Sequence, residues 1–405
     1  MKIAVVGAGL TGLKAARELR EYARVRVFEP GELGGLAASF GDSFRIEKYY
    51  HHCFRYDEYL LREIKELGLG SKLVWKVAKT GFAVDGKIYP LNTPFEILHY
   101  PYLSFRDKVR LARFTLKSRK MNYENYDDMG VIEGIRKELG DELLEKFFMP
   151  LLRSKFGENS EKVSFAWLLG RVAIRSNRKY SGEEIGYIRH GFHQLVERMA
   201  EGIEIVPERA KIRRGAKWEV NGEEFDAVIF TAPLPELGGL GDALGIARIE
   251  YQSSVCALVA SESTLTEEIY WTNIADKMSF GAVIEHTNFM PLEDYGTHLL
   301  YLASYSTPDG RLFNMTTEEI SRLFLSDLSK LGMNVEDVKW IEVFKAKYSG
   351  PIYEKGYARK ITPYKVADGF YIAGMTSKPN YPERSMNGSI RAGYEVANEV
   401  KKDLL

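Results

Sequence analysis

The sequence predicts an α/β fold in which a Rossmann-like nucleotide-binding domain, assembled from separated pieces of chain, receives an inserted α+β domain. Three stretches carry that prediction. KIAVVGAGLTGLKAARELRE, from Lys2, reads as a buried strand, a glycine turn and a helix. AVIFTAP, 227–233, reads as another buried strand closing on a turn of small residues. DGFYIAGMTSKPNYPERSMNGSIRAGYEVANEV, 368–400, reads as strand, loop and helix.

In the N-terminal stretch Gly7, Gly9 and Gly12 form G-x-G-x-x-G between strand and helix, the context in which this pattern binds a dinucleotide. Gly7 makes the tight turn, Gly9 lets a pyrophosphate approach the backbone, and Gly12 lets helix and strand pack closely. The helix start, with Thr11 in its first turn, then offers free N–H groups and a positive dipole end to the phosphates. The next strand, RVRVFE, ends at Glu29, 17 residues after Gly12, where a carboxylate can accept both ribose hydroxyls of an adenosine. NAD and FAD fit these features equally well. ELGGLAAS, 32–39, then adds Gly34 and Gly35 just beyond Glu29. The C-terminal stretch ends a strand at Ala373-Gly374 and starts a helix near Asn387, Gly388 and Ser389, with Ile390, Tyr394, Ala397 and Val400 on one face. A nicotinamide domain has no need of such a piece. FAD is longer, and a second helix N-terminus would hold its ribityl chain and flavin O2.

Together these stretches resemble the FAD-dependent amine oxidase and protoporphyrinogen oxidase superfamily, GR2-type flavoproteins that include UDP-galactopyranose mutase. The stretch GIEIVPERAKIRRGAKWEVNGEEFDAVIFTAP, 202–233, agrees with it: a strand, a hairpin turned at Asn221-Gly222, then the buried strand closing on Thr231-Ala232-Pro233. The resemblance implies FAD as a non-covalent cofactor. It also implies that Arg209–Ile212, Ala210 included, lays backbone against the adenine. It assigns Thr231, Ala232 and Gly374 to the strand ends facing the cofactor, and Asn387, Gly388, Ser389 and Ile390 to the flavin. Where the family commonly has Arg or Lys after the glycine pair, this chain has Leu36, so a contact made by that cation is replaced or absent. The expected domains are 1–75, 190–237 and 355–405 for FAD, and 76–189 with 238–354 for substrate.

KYYHHCF, 48–54, pairs two histidines with a cysteine. Adjacent side chains diverge in helix or strand, and no Cys-x-x-Cys or second histidine cluster completes a ligand set, so no metal is expected. The resemblance implies that this segment crosses close to the isoalloxazine ring, which makes His51 or His52 a flavin-face residue. The alternative is a ring hydrogen-bonded at a domain interface. Cys53 reads as a small buried residue. Tyr348, in AKYSGPIY, is a further candidate on the substrate side. DEYLLREIKELGLG, 57–70, is scaffold: a helix with Asp57 as N-cap, Leu60, Leu61, Ile64 and Leu67 on one face, and Gly68 at its end.

The inserted half is largely helical first, then strand-rich in runs such as SVCALVAS and HLLYLASY. Patterns like LLRSKFGENSEKVSFAWLLGRVAIRS and EEIGYIRHGFHQLVERM resemble a group of flavoproteins, many of which carry Gly-Gly where this chain has His190-Gly191. Arg153, Arg171, Arg175, Arg178, Lys179 and Arg189 read either as a solvated face or as an anion pocket for a diphosphate. FRDKVRLARFTLKSRK, 105–120, is basic, but its apolar positions form no single wide stripe; a solvated helix is expected rather than a membrane-surface one.

Composition narrows the setting. At 405 residues the chain is too long for one ordinary core, and 56 acidic against 56 basic residues give no reason to expect nucleic acid. Cys53 and Cys256 suit a reducing cytoplasm, the N-terminus lacks a signal-peptide pattern, and no apolar run is long enough to span a membrane. Scarce glutamine beside abundant Glu, Lys and Arg leans toward a heat-adapted source. The leading expectation is an oxidoreductase that takes a hydride from a C–N or C–C bond of a small substrate, anionic ones included, onto flavin N5. Behind it stand a redox-neutral isomerase of the mutase type, using reduced flavin on a nucleotide-sugar, and a non-catalytic binder like the Rab GDP dissociation inhibitors.

Overall fold

The computed structural model describes residues 1–175 and 182–404, with all side chains in them except those of 173–175. The chain divides into two compact units, one of 1–74, 187–249 and 358–405, the other of 75–186 and 250–357.

The first unit is built on β1 (Lys2–Val6), β2 (Arg24–Phe28), β3 (Glu204–Val206), β4 (Ala227–Phe230), β5 (Lys365–Ala367) and β6 (Phe370–Ile372). They form one sheet in the order β3-β2-β1-β4-β6-β5, parallel throughout except for the antiparallel β5–β6 edge. Ile3 sits between Val25 of β2 and Ala227 of β4. A parallel strand covered on both faces needs apolar residues without alternation, and Ile3, Ala4 and Val5, like Ala227, Val228 and Ile229, are fully buried. Between β3 and β4 a three-stranded hairpin sheet turns at Asn221-Gly222, whose φ values of 52° and 83° are the positive pair that a type I′ turn requires.

Helices α1 (Leu10–Leu19) and α3 (Met386–Leu404) pack against this sheet, and α2 (Glu58–Glu66) packs against α3. α1 and α3 cross so closely that a Cβ on Gly393 would stand 2.4 Å from the Thr11 carbonyl oxygen. The Thr11 hydroxyl donates to the Ser389 carbonyl at 3.0 Å across the same crossing. α2 ends before Gly68, which has a positive φ of 75°. Its start departs from the sequence expectation. Asp57 occupies the N-cap position, but its carboxylate accepts from the Phe54 N–H at 2.8 Å, and burial pushes its pKa up to about 6. The helix is capped from the far end of the chain: Asn387 Oδ1 accepts from the Tyr59 and Leu60 N–H groups at 2.9 and 3.1 Å.

A charged cluster ties the same helices together. Lys14, 3% exposed, pairs with Glu18 at 2.8 Å and with Glu63, itself 1% exposed. Arg17 reaches Glu63 at 3.3 Å, and Lys401 reaches Glu18 at 3.5 Å. Burial works against the Lys14 charge, but the two carboxylates outweigh it and hold the ammonium pKa above the usual lysine range.

The second unit contains a seven-stranded sheet in the order Val338–Pro351, Tyr251–Ser261, His298–Ser306, Ala282–Glu285, Trp271–Ile274, Thr80–Val84, Lys87–Pro90. All its pairs are antiparallel except Trp271–Ile274 with Thr80–Val84. Helix Thr317–Lys330 opens on a Thr316/Glu319 capping box. It buries Ile320, Phe324 and Leu328 against Val255, Ala257, Val259, Leu300 and Leu302 of the sheet. The remaining α-helices among the described residues of this unit lie between Pro94 and Arg175, and at Arg311–Asn314.

Removing Glu63 leaves the buried Lys14 ammonium with Glu18 alone to balance it. Glu63→Ala should therefore lower the stability of the first unit by about 3 kcal/mol, and combining it with Lys14→Met should recover most of the loss. Denaturant unfolding of the three proteins checks this, and equal stability of Glu63→Ala and the parent would remove the cluster's role.

Candidate functional site

The glycine turn between β1 and α1 organises the first unit's candidate site. A Cβ on Gly12 would stand 2.0 Å from the Gly7 carbonyl oxygen, so helix and strand can approach only with glycine there. Gly7, at φ 103°, donates its N–H to Phe28 at 2.9 Å. Gly9 is the N-cap of α1 and no side chain caps the helix; a Cβ at Gly9 would meet nothing within 4 Å. A helix N-terminus is thus presented to open space, its dipole suited to an anion.

The second glycine pair lies against the first. Gly34 donates its N–H to the Ala8 carbonyl at 2.8 Å, and a Cβ on Gly35 would stand 3.5 Å from the Gly9 Cα. Leu36 follows, half-buried, in the short 3-10 turn Gly35–Ala37. Glu29 stands at the end of β2, half-buried. One carboxylate oxygen accepts from the Ala8 N–H at 2.9 Å and the other from the Gly31 N–H at 3.0 Å. A carboxylate has about four lone-pair positions, so two remain for hydroxyl donors. An uncapped helix start, a face of glycines with open space before Gly9, and a carboxylate already oriented by backbone donors fit the phosphates and ribose of a dinucleotide.

Two of the strand-end residues expected at the cofactor pack against this turn. The Thr231 hydroxyl donates to the Val6 carbonyl at 2.8 Å, 3.1 Å from the Gly7 carbonyl, which fixes the end of β4 on the glycine turn. Gly374, at φ 146°, would place a Cβ 3.3 Å from the Thr231 carbonyl oxygen; its own N–H donates to Ser377 Oγ and its carbonyl accepts from Asn380 Nδ2. Ala232 and Ala210 are half-buried.

At the start of α3 the side chains are engaged within the first unit. The Asn387 amide oxygen caps α2, Ser389 gives its carbonyl to Thr11, and the Ile390 side chain is fully buried in the core. Gly388 has no room for a side chain, since a Cβ would stand 2.3 Å from Asn380 Oδ1. What this helix start can offer a ligand is therefore backbone.

The histidine segment is enclosed. His51 bonds through Nδ1 to the Tyr49 carbonyl, and although the residue keeps some exposed surface, burial of the imidazole holds its pKa down to about 4. The Arg384 cation adds to that shift. His52 packs edge-on against Phe54, with ring centroids 5.1 Å apart, and Cys53 is fully buried. Sequence reasoning missed Arg384, which only the folded C-terminal segment brings to His51. It also missed Glu47, 1% exposed, which accepts from the Tyr187 hydroxyl at 2.7 Å and from the Phe192 N–H. Burial raises the Glu47 carboxyl above its ordinary range. His190 takes the left-handed conformation a glycine would, at φ 70°, and a Cβ on Gly191 would stand 3.2 Å from the Arg45 carbonyl oxygen.

In the second unit Tyr348 packs edge-on against Tyr251 at 5.4 Å, with the Lys347 ammonium 5.4 Å from its ring. The buried His286 bonds through Nε2 to the Tyr295 hydroxyl at 2.7 Å, and burial pushes its pKa down to about 3. Neighbouring Glu285 accepts from the Leu265 and Thr266 N–H groups and the Thr266 hydroxyl, while burial pushes it up to about 7. Of the expected basic cluster, Arg153 and Arg189 are exposed and belong to different units, and Arg171 lies over the Trp167 ring at 5.7 Å. The Arg175 side chain, Arg178 and Lys179 lie outside the described residues. Among the described residues no three His, Cys, Asp or Glu converge as metal ligands, and no helix is long and apolar enough to cross a membrane.

Residues 10–401 match the family model for flavin containing amine oxidoreductases. No curated protein sequence matches the chain. The fold is similar to that of a protein from Exiguobacterium sp. 255-15 provisionally assigned as a protoporphyrinogen oxidase, at 20% identity and TM-score 0.78, with 99% of this chain and 98% of that one covered. It is similar to reduced UDP-galactopyranose mutase at 18% identity and TM-score 0.74, covering 99% and 95%. Cyclohexylamine oxidase from Brevibacterium oxydans IH-35A aligns at 15% identity and TM-score 0.74, covering 100% and 99%.

Two outcomes follow from the geometry. A hydrogen bond to a charged group is worth about 1.5–3 kcal/mol, so Glu29→Ala should weaken FAD binding about tenfold or more in a fluorescence titration of the apoprotein. An unchanged Kd would take Glu29 out of the site. His51 and His286, with pKa values lowered from 6.5 to about 4 and about 3, should show no protonation through the neutral range. NMR titration of the histidine rings, assigned with His51→Ala and His286→Ala, checks this; a neutral-range transition in either ring contradicts the enclosure described.

Proposed function

Because the chain belongs to the flavin containing amine oxidoreductase family, with FAD as its cofactor, we propose that it oxidises a small molecule by taking a hydride from a C–N or C–C bond. FAD, when bound, supplies the two-electron acceptor at N5. The observation that carries this reading is the joining of the β1–α1 turn, the second glycine pair and the α3 start around one open helix N-terminus, inside a family match that spans all but the ends of the chain.

The roles of the chain's own residues follow. The backbone of Gly9, Thr11 and Gly12 receives the pyrophosphate at the start of α1, and Gly7 keeps the turn tight enough for that approach. Glu29 accepts the ribose hydroxyls. Ala210 lays backbone on the adenine, and Gly34, Gly35 and Leu36 close over the phosphates. Leu36 brings no charge, so phosphate binding leans on the helix dipole and N–H groups. Thr231, Ala232 and Gly374 hold the strand ends in place behind the glycine turn. The backbone at Asn387–Ile390 faces the flavin, with the Asn387 side chain turned away to α2. His51 and His52 line the flavin face. His51, kept neutral beside Arg384, can orient a ring or a substrate group without adding charge there. Tyr348 is assigned to the substrate wall. The units 1–74, 187–249 and 358–405, and 75–186 with 250–357, serve as cofactor and substrate domains.

One other reading, redox-neutral isomerisation of a nucleotide-sugar by reduced flavin, draws support from the histidine segment with Arg384 at its side. The two differ in which flavin state starts the cycle. Amines, porphyrinogen-like compounds and nucleotide-sugars should be mixed anaerobically with the oxidised and the dithionite-reduced protein. Bleaching of the oxidised flavin by any of them is the expected result. Turnover of a nucleotide-sugar only after reduction, without net redox change, would assign the isomerase, and a protein that binds neither FAD nor FMN would overturn both.

A further inference from the structure

Five of the ten exposed large hydrophobic residues among the described residues fall between Phe95 and Leu116, in the second unit. Phe95 and Leu98 are 68% and 49% exposed on helix Pro94–His99; Phe105, Val109 and Leu116 are 71%, 38% and 62% exposed on helix Phe105–Ser118. The longer helix buries Asp107, Phe114 and Ser118, so its inward face is settled. Phe105, Val109, Ala112 and Leu116 recur at i, i+4, i+7 and i+11, which places them in one stripe on the opposite, outward side. The sequence pattern conceals this stripe, because Leu111 and Phe114 add apolar positions that belong to the other face.

Cations flank the stripe. Residues 105–120 hold seven, Arg106, Lys108, Arg110, Arg113, Lys117, Arg119 and Lys120, against one acid, Asp107, which is fully buried. Arg106 and Lys120, with Arg113 between them, make no ion pair among the described residues, whereas Lys117 pairs with Glu138 at 2.6 Å and Lys108 bonds the Leu98 carbonyl at 2.6 Å. Since the whole chain is neutral, this is a local concentration of charge. An exposed apolar stripe with basic flanks, on a helix whose reverse face is packed, is the arrangement of a helix lying in a bilayer interface. A second copy fits less well: it would set the same cations against each other, with no outward acid in 105–120 to receive them.

We propose that the helices Pro94–His99 and Phe105–Ser118 dock this protein reversibly on an anionic lipid surface, Phe95, Leu98, Phe105 and Leu116 entering the headgroup–acyl boundary. This rests on the outward face alone and stands whichever substrate the flavin site takes. The test is co-sedimentation of the FAD-loaded protein with vesicles of phosphatidylcholine alone, and of equal parts phosphatidylcholine and phosphatidylglycerol. Binding is expected to the mixed vesicles only, and to weaken steeply as salt is raised. Each cation at such a surface contributes about fivefold, so Arg106→Gln with Arg113→Gln and Lys120→Gln should weaken binding about a hundredfold. Phe105→Ser with Leu116→Ser should reduce it at least as far, with circular dichroism and flavin content unchanged because all five side chains project outward. Failure to bind the mixed vesicles, or binding that both variants retain, overturns the proposal. So does a dimer by light scattering that the Phe105→Ser, Leu116→Ser variant converts to monomer, since the stripe then belongs to a second copy.

Discussion

The close approach at Gly12 governs the first unit. With only 2.0 Å between the Gly7 carbonyl oxygen and the place a Cβ would take, α1 leaves β1 at an angle no other residue allows. The Thr231 hydroxyl then reaches back to the Val6 carbonyl, and the backbone of Gly374 sits against Thr231, so the ends of β1, β4 and β6 meet at one turn. α3 reaches the same place from the other side, held by the Thr11–Ser389 bond and the bare surface of Gly393. Segments more than two hundred residues apart thereby share one corner. The uncapped start of α1 lies at that corner, which is why a backbone constraint with no chemistry of its own decides where the chemistry can occur.

Features fixed by neighbours in the sequence were legible before any coordinates. The apolar runs of β1 and β4, the glycine spacing, the Asn221-Gly222 turn and the helix from Glu58 to Gly68 each obey a short-range rule. Features fixed by closure of the chain were not. Asn387 reads as a ligand-side residue at a helix start, yet its amide serves another helix. Arg384 acts on His51, and Tyr187 and Phe192 enclose Glu47, only through contacts that the closed fold makes. The helix Phe105–Ser118 shows the limit most simply. Its composition gives the amount of apolar surface, but only packing reveals that Phe114 faces in and Phe105 faces out.

The buried groups divide by what surrounds them. In the first unit Lys14 faces Glu18 and Glu63, which hold its ammonium pKa above the usual lysine range, and the helices they join are held as a set. In the second unit burial keeps His286 neutral while its Nε2 bonds the Tyr295 hydroxyl, and Glu285 accepts from the backbone and hydroxyl donors of one loop. A charge balanced by charge resists protonation across a wide pH range, whereas a carboxyl held by neutral donors titrates where its burial dictates. Acidity therefore acts on these two clusters by different routes.

The cap that Asn387 gives to α2 also orders events during biosynthesis. The helix from Glu58 leaves the ribosome before the amide that satisfies its first N–H groups, which lies 328 residues beyond Tyr59. β4 and β6, which extend the sheet beyond β1, likewise follow α2 in the chain. Contacts of such sequence separation form slowly, because the intervening chain must close first. Until those segments emerge, β1, β2 and α2 hold apolar surface and open backbone groups, which exposes the nascent chain to aggregation.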